Sequence, residues 1–309
     1  MRENTADGTS FTMLVDCGDI SIHADGEAPS GQYCDACSRR ISAADFLKKE
    51  KIKRLDLLVI THLHRDHVGG LLQLLAEADV SQLWCNYVPD PVLWGRQVQV
   101  PDSFSDGAKC LLDSINIYSR GLLLLSKKGA VIRCIRSDQK ALRMGRELHV
   151  FPFCDDAALP RQEKIWQRCF DAQVGCEELD CLNKFINDTS LRLRICYAGR
   201  NIELPGDFCA ARWDKCDQPE CSIVKLPHHG HADSLTEPLA AKLRAEYTVV
   251  SVSNSRTDHC PAEEIMAMSG RNSGRLLFTD AVTLPGIHPV YHDSVRFRID
   301  KSGSVSLVE

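Results

Sequence analysis

The segment Ile60-Thr61-His62-Leu63-His64-Arg65-Asp66-His67-Val68-Gly69-Gly70 constrains this chain more than any other. It completes residues 55–60 (LDLLVI), a mostly apolar run of strand length suited to a sheet covered on both faces. His62 and His64 stand two positions apart, so an extended backbone projects both side chains the same way. A helix is expected to begin near Asp66, which puts Asp66 and His67 in its first turn, within reach of the preceding loop. Three imidazoles and one carboxylate within six residues form a nitrogen and oxygen donor set suited to zinc, manganese or iron. The Gly pair permits a tight approach of helix to sheet. The bland alternative is a polar surface turn, and four potential ligands directly behind a buried-looking strand argue against it.

Two later positions have matching contexts. Asp207 follows the run NIELPG, with Gly206 giving its carboxylate room. His228 and His229 follow the strand-like SIVKL through Pro227 and precede Gly230, so imidazoles are presented at a sheet end. An ordinary turn aspartate and a solvated histidine pair are the local alternatives. The first motif weakens both.

Hydrophobic patterning distributes strands and helices along the rest of the chain. Strands are expected at residues 11–15, 83–88, 129–135, 147–151, 191–198, 221–226, 247–252 and 275–278, with a closing antiparallel strand at 294–299. Helices are expected at 41–51, 111–125, 235–243 and 262–268, and between 159 and 185 with an interruption at Gly175. Strict βα alternation is lacking, which points to sheets covered by helices on their outer faces. Neither a repeat nor a long linker is evident, so a single domain spanning 1–309 is expected.

Taken together, these motifs resemble the metallo-β-lactamase superfamily, and most closely the cytoplasmic hydrolase-like domain of ComEC-type competence proteins and its free-standing relatives. The resemblance is carried by Asp16 in LVDCG, THLHRDHVGG from Thr61, GRELHVFPF around His149, NDTSLRL from Asn187, LPGDF around Asp207, KLPHHGHADS from Lys225 and SVSNSRTDHCP ending at Pro261. It implies an α+β layered αββα sandwich with one or two divalent metal ions, zinc or manganese, at one end of the sheets. It further implies that His62 and His64 hold one metal, that Asp66, His67 and His228 hold the second, and that Asp207 bridges them. Asp16 and His229 are further candidates at this site.

Two departures from the family pattern stand out. The turn that supplies another histidine in typical members reads Asn187-Asp188-Thr189-Ser190, so an oxygen from Asn187, Asp188 or Ser190, or water, is expected there. The N-terminus is also short, and an edge strand found in relatives is expected to be reduced or lost.

The resemblance implies hydrolysis of an ester, amide or phosphodiester, and a phosphodiesterase acting on nucleic acid or a nucleotide is the leading expectation. Asp66 and Asp207 are the expected catalytic carboxylates, and His259 in DHCP is the expected proton donor to a leaving oxygen. Lys225, Ser234, Asn254 and Arg256 are candidate substrate contacts. Small-ester, lactone or thioester hydrolysis is an alternative, as is a metal-binding or partner-binding module without turnover.

Composition narrows the setting. A formal charge of −5 argues against duplex binding by the whole surface. The basic stretch 127–146 is expected to be either a track for a nucleic-acid backbone or a solvated face. Fifteen scattered cysteines read as reduced thiols, and Cys34 and Cys37 as ordinary cysteines rather than half of a zinc site. With no apolar run of membrane-spanning length and no secretory signal, a cytoplasmic location is expected. No protein partner is expected.

Overall fold

Parallel strands require long crossovers, and the first part of the chain supplies them as helices. The computed structural model describes residues 1–4, 10–19, 41–137, 142–144, 147–213, 220–252, 260–280 and 294–308. These fall into two compact units, each with its own apolar core.

The first unit holds the described residues of 1–24, 41–139 and 152–191. Its strands are β1 (Arg2–Asn4), β2 (Ser10–Val15), β3 (Arg54–Leu55), β4 (Leu57–Val59), β5 (Asp79–Val80), β6 (Gln82–Cys85) and β7 (Val131–Cys134). The main sheet runs β1-β2-β4-β6-β7, and β3 pairs with β5 beside it. All its pairings are parallel except β1 with β2, where Arg2 faces Thr12 and Asn4 faces Ser10. An edge strand is therefore present, three residues long and paired with β2. Leu57, Leu58 and Val59 are fully buried, as a strand covered on both faces requires.

Six helices accompany this sheet: α1 (Ala43–Lys49), α2 (Arg65–Val68), α3 (Leu71–Glu77), α4 (Asp106–Lys127), α5 (Leu159–Phe170) and α6 (Cys176–Phe185). α4 is longer than its apolar stripe suggested, because Ser105 caps it by accepting a hydrogen bond from the Ala108 amide. The expected interruption near Gly175 separates α5 from α6. Burial of Leu74, Leu83, Leu112, Ile115, Tyr118 and Trp166 ties the helices to the sheet in one core.

The second unit holds the described residues of 25–40, 140–151 and 192–309. Its sheet contains β8 (Leu142–Met144), β9 (Leu148–Phe153), β10 (Arg192–Tyr197), β11 (Arg200–Leu204), β12 (Ile223–Lys225), β13 (Tyr247–Val250) and β14 (Arg275–Phe278), in the order β14-β13-β12-β11-β10-β9-β8. β11 was not foreseen. Its hairpin with β10 turns through Ala198 and Gly199, both with positive φ, as a two-residue hairpin loop demands. From β11 to β14 the pairing is parallel. The accompanying helices are α7 (Ala210–Trp213), α8 (Glu237–Leu243) and α9 (Glu263–Asn272). The strand expected to close the chain does form, as β15 (Arg296–Ile299), but it pairs with β16 (Val305–Val308) in a separate ribbon. Within the main sheet the buried Arg194 and Glu203, direct partners across β10 and β11, make an ion pair at 2.5 Å.

No helix among the described residues is long and apolar enough to cross a membrane.

Candidate metal centre

In the first unit β4 ends at Val59, and the chain runs extended through His64 before α2 begins. Thr61, His62 and His67 are buried, so each polar atom there needs a partner. Asp16, directly after β2, provides several. Its Oδ1 accepts from the Thr61 amide at 2.8 Å, and its Oδ2 accepts from the Thr61 hydroxyl at 2.9 Å. Nδ1 of His67 lies 2.8 Å from the same Oδ2. A carboxylate accepts only, so this contact assigns the proton to Nδ1 and turns the Nε2 lone pair of His67 outward as a ligand. The backbone fixes the same geometry: Cys17 donates to the His67 carbonyl at 2.7 Å, and Gly70 donates to that of Gly18 at 2.8 Å. Gly70 is obligatory here, because a Cβ on it would stand 2.4 Å from the Cys17 carbonyl oxygen.

The hydrogen-bond network also assigns the other two imidazoles. Because Thr61 spends its hydroxyl proton on Asp16, its oxygen accepts from Nδ1 of His62 at 3.2 Å. Nε2 of His64 donates to Oδ1 of Asn183, on α6, at 3.1 Å. Nε2 of His62 and Nδ1 of His64 lie 3.1 Å apart. Their separation matches the roughly 2.9 to 3.4 Å between neighbouring ligands that each stand about 2.0 to 2.1 Å from one ion. His62 and His64 thus form one pair of candidate ligands, and Asp66 with His67 forms another. Oδ2 of Asp66 lies 3.4 Å from Nε2 of His67.

The turn Asn187-Asp188-Thr189-Ser190, where the family histidine is replaced, comes up beside this loop. Leu191 donates its amide to the Thr61 carbonyl at 2.9 Å. The turn is anchored through buried Thr189, whose hydroxyl donates to Gln162 at 2.6 Å and whose side-chain and carbonyl oxygens both receive the Asn86 amide.

In the second unit Asp207 follows β11 and is buried. His228 and His229 both adopt left-handed backbone conformations, with φ of 44° and 53°. Each costs roughly 1 to 2 kcal/mol for a residue carrying a Cβ. Their rings consequently diverge. His229 sets Nδ1 against the Ser251 carbonyl at 2.8 Å, which leaves Nε2 as the ligand atom, and it shares a potential ligand group with Asp207. His228 instead sets Nδ1 2.9 Å from Asp233, and a potential ligand group joins it with His231 and Asp233. Burial raises the Asp233 pKa, but the hydrogen bonds from His228 and His231 outweigh it and leave the carboxyl below its ordinary value. The local pattern PHHG did not reveal which histidine would turn to Asp207.

Of the candidate substrate contacts, Lys225 lies at the end of β12 with its ammonium 3.3 Å from the Leu226 carbonyl, and Ser234 is fully buried. His259, Asn254, Arg256, Cys34 and Cys37 lie outside the described residues. In the basic stretch, Lys128 pairs with Asp79 at 3.0 Å and Arg136 pairs with Glu163, so two of its cations serve the fold. Sequence reasoning missed Thr61 and Asn183, the residues that assign the His62 and His64 protons. Asn183 lies 119 positions from its partner, and no local pattern announces it.

The sequence profile of the Metallo-beta-lactamase superfamily matches residues 7–114, the stretch containing Asp16 and the histidine loop. The fold is the metallo-β-lactamase fold. Its mixed α+β sheets with flanking helices are those described above. No curated protein matches the chain. Among solved structures it is similar to CmlA, a diiron beta-hydroxylase from Streptomyces venezuelae, at 11% identity over 64% of this chain and 35% of that one, with a TM-score of 0.31. The chain therefore spans about a third of that protein. It is also similar to Zn(2+)-bound PqqB from Methylobacterium extorquens, at 12% identity over 87% and 72% with a TM-score of 0.34. Human tRNase Z, short form, gives 13% identity over 88% and 84% with a TM-score of 0.34. The clusters of His and Asp side chains are able to coordinate a divalent metal.

Proposed function

We propose that this chain is one functional domain, a metal-dependent phosphodiesterase acting on nucleic acid or a nucleotide. The observation that carries the metal dependence is the clustering of His62 and His64, 3.1 Å apart, beside a His67 whose proton Asp16 holds on Nδ1. In this reading His62, His64, Asp66 and His67 are the metal ligands of the first unit, and Asp207 and His229 are those of the second. His229 takes the place that the sequence suggested for His228, because its Nδ1 is satisfied by a backbone carbonyl. Zinc or manganese held there supplies Lewis-acid polarisation of the phosphoryl oxygen and activates water near neutral pH. The protein's own part is orientation: Asp16 and Asn183 hold two imidazoles in ligand tautomers, and the Asp207 carboxylate aligns the attacking water. His259 delivers a proton to the departing oxygen.

The preference for a phosphodiester rests on KLPHHG, through which the sequence resembles the ComEC-type branch, and on Lys225 at its head, a cation suited to a phosphate oxygen. Asp207→Ala tests the reading in single-turnover assays on a phosphodiester at matched metal occupancy. Turnover is expected to vanish while substrate affinity changes little, because the carboxylate acts as charge develops in the transition state. Near-wild-type turnover with metal still bound would reject the proposed role.

A further inference from the structure

We propose that His228, His231 and Asp233 form an auxiliary site for a divalent first-row transition-metal ion, separate from the hydrolytic centre. Nδ1 of His228 lies 2.9 Å and Nδ1 of His231 lies 3.1 Å from the same oxygen of Asp233. The three ligand atoms lie within 4.8 Å of one another. The two nitrogen-to-oxygen separations suit neighbouring corners of one coordination shell, given nitrogen and oxygen ligands roughly 2.0 to 2.2 Å from the ion. Two imidazoles and one carboxylate on one side of an ion leave the remaining positions to solvent, a donor set that suits zinc, nickel, cobalt or ferrous iron and not magnesium or calcium. The side chains are 25%, 41% and 42% exposed, so hydrated ions reach them without opening the core.

The loop is arranged before any ion arrives. His231 donates its amide to the His228 carbonyl at 2.8 Å, Ser234 donates to the His231 carbonyl at 2.9 Å, and the Asp233 carbonyl accepts from the Ala210 amide at 3.0 Å. The left-handed conformation of His228 and the extended backbone of His231, with φ of −59° and ψ of 161°, bring the two rings to a centroid separation of 4.6 Å. A simple turn needs neither two consecutive left-handed histidines nor two imidazoles on one carboxylate oxygen. The divergence of His228 from His229 lets one short loop serve two sites, with His229 grouped with Asp207 and His228 grouped away from it.

The test is a titration of metal-stripped full-length protein with nickel and with cobalt, reading stoichiometry calorimetrically and the cobalt absorption bands optically. It compares wild type with His231→Ala, His231→Gln and Asp233→Asn. The wild type is expected to bind one more equivalent than each variant, or to bind it at least 100-fold more tightly. Circular dichroism of the variants is expected to match wild type, since both positions are substantially exposed. A His62→Ala/His64→Ala protein is expected to keep the auxiliary equivalent, which separates this site from the hydrolytic one. Equal stoichiometry and affinity in wild type and all three single variants would overturn the proposal, as would loss of the equivalent in the His62/His64 variant alone.

Discussion

Asp16→Asn isolates what the first-strand carboxylate does for the metal centre. Asn tolerates the positive φ of 61° at this position, so the backbone is preserved. Its carbonyl oxygen still accepts from the Thr61 amide, but its NH₂ group now faces Nδ1 of His67, where a carboxylate oxygen stood at 2.8 Å. His67 must then accept at Nδ1 and carry its proton on Nε2, the atom needed as a ligand. Loss of such a supporting carboxylate typically weakens metal binding 10- to 100-fold, about 1.4 to 2.7 kcal/mol. Asp16→Ala behaves differently, because it also strands the buried Thr61 amide at a cost of about 1 to 3 kcal/mol in the metal-free fold. The assays are chelator competition for metal affinity, denaturant unfolding of metal-free protein, and ¹⁵N-histidine spectra for the tautomer. The reasoning is refuted if D16N binds metal as tightly as wild type, or if His67 keeps its Nδ1 proton.

Two further outcomes test the framework around the site. Glu203→Gln, which leaves the buried Arg194 without its charge partner, is expected to destabilise the protein by about 3 to 5 kcal/mol in urea unfolding. Burial raises the Glu203 pKa above its ordinary value of 4.5 against the pull of Arg192 and Arg194, so its stabilising contribution is greatest below pH 4.5 and declines as pH rises through the folded value. For the cysteines, burial pushes Cys85, Cys154, Cys169 and Cys221 up to about 12, leaving about one thiolate in ten thousand at pH 8. Peptide mapping after iodoacetamide treatment of native protein should find these four unmodified while Cys181, half-buried beside Arg161, reacts; early labelling of the four would show their environments to be wrong.

The first unit was largely legible in the sequence because its signals are local. An apolar run of strand length, histidines at alternate positions and a helix start within six residues need no distant information. β11 was missed because its Glu203 is a charge in a buried position, where it is held by pairing with Arg194 on β10. The choice between His228 and His229 was hidden for a related reason. It depends on two left-handed backbone conformations and on acceptors at Asp233 and Ser251, none of which a PHHG pattern encodes. Asn183 and Thr61 look unremarkable in the sequence, and their importance appears only when proton positions are traced through the hydrogen bonds.

The central claim is met most directly by measuring metal content and phosphodiester hydrolysis on the same preparation, before chelation, after chelation, and after return of zinc or manganese, in wild type and in a His62→Ala/His64→Ala protein. Hydrolysis is expected to disappear on chelation, return with metal, and stay absent in the variant. Hydrolysis unaffected by metal removal, or a fully metal-loaded wild type that cleaves no phosphodiester, would contradict it.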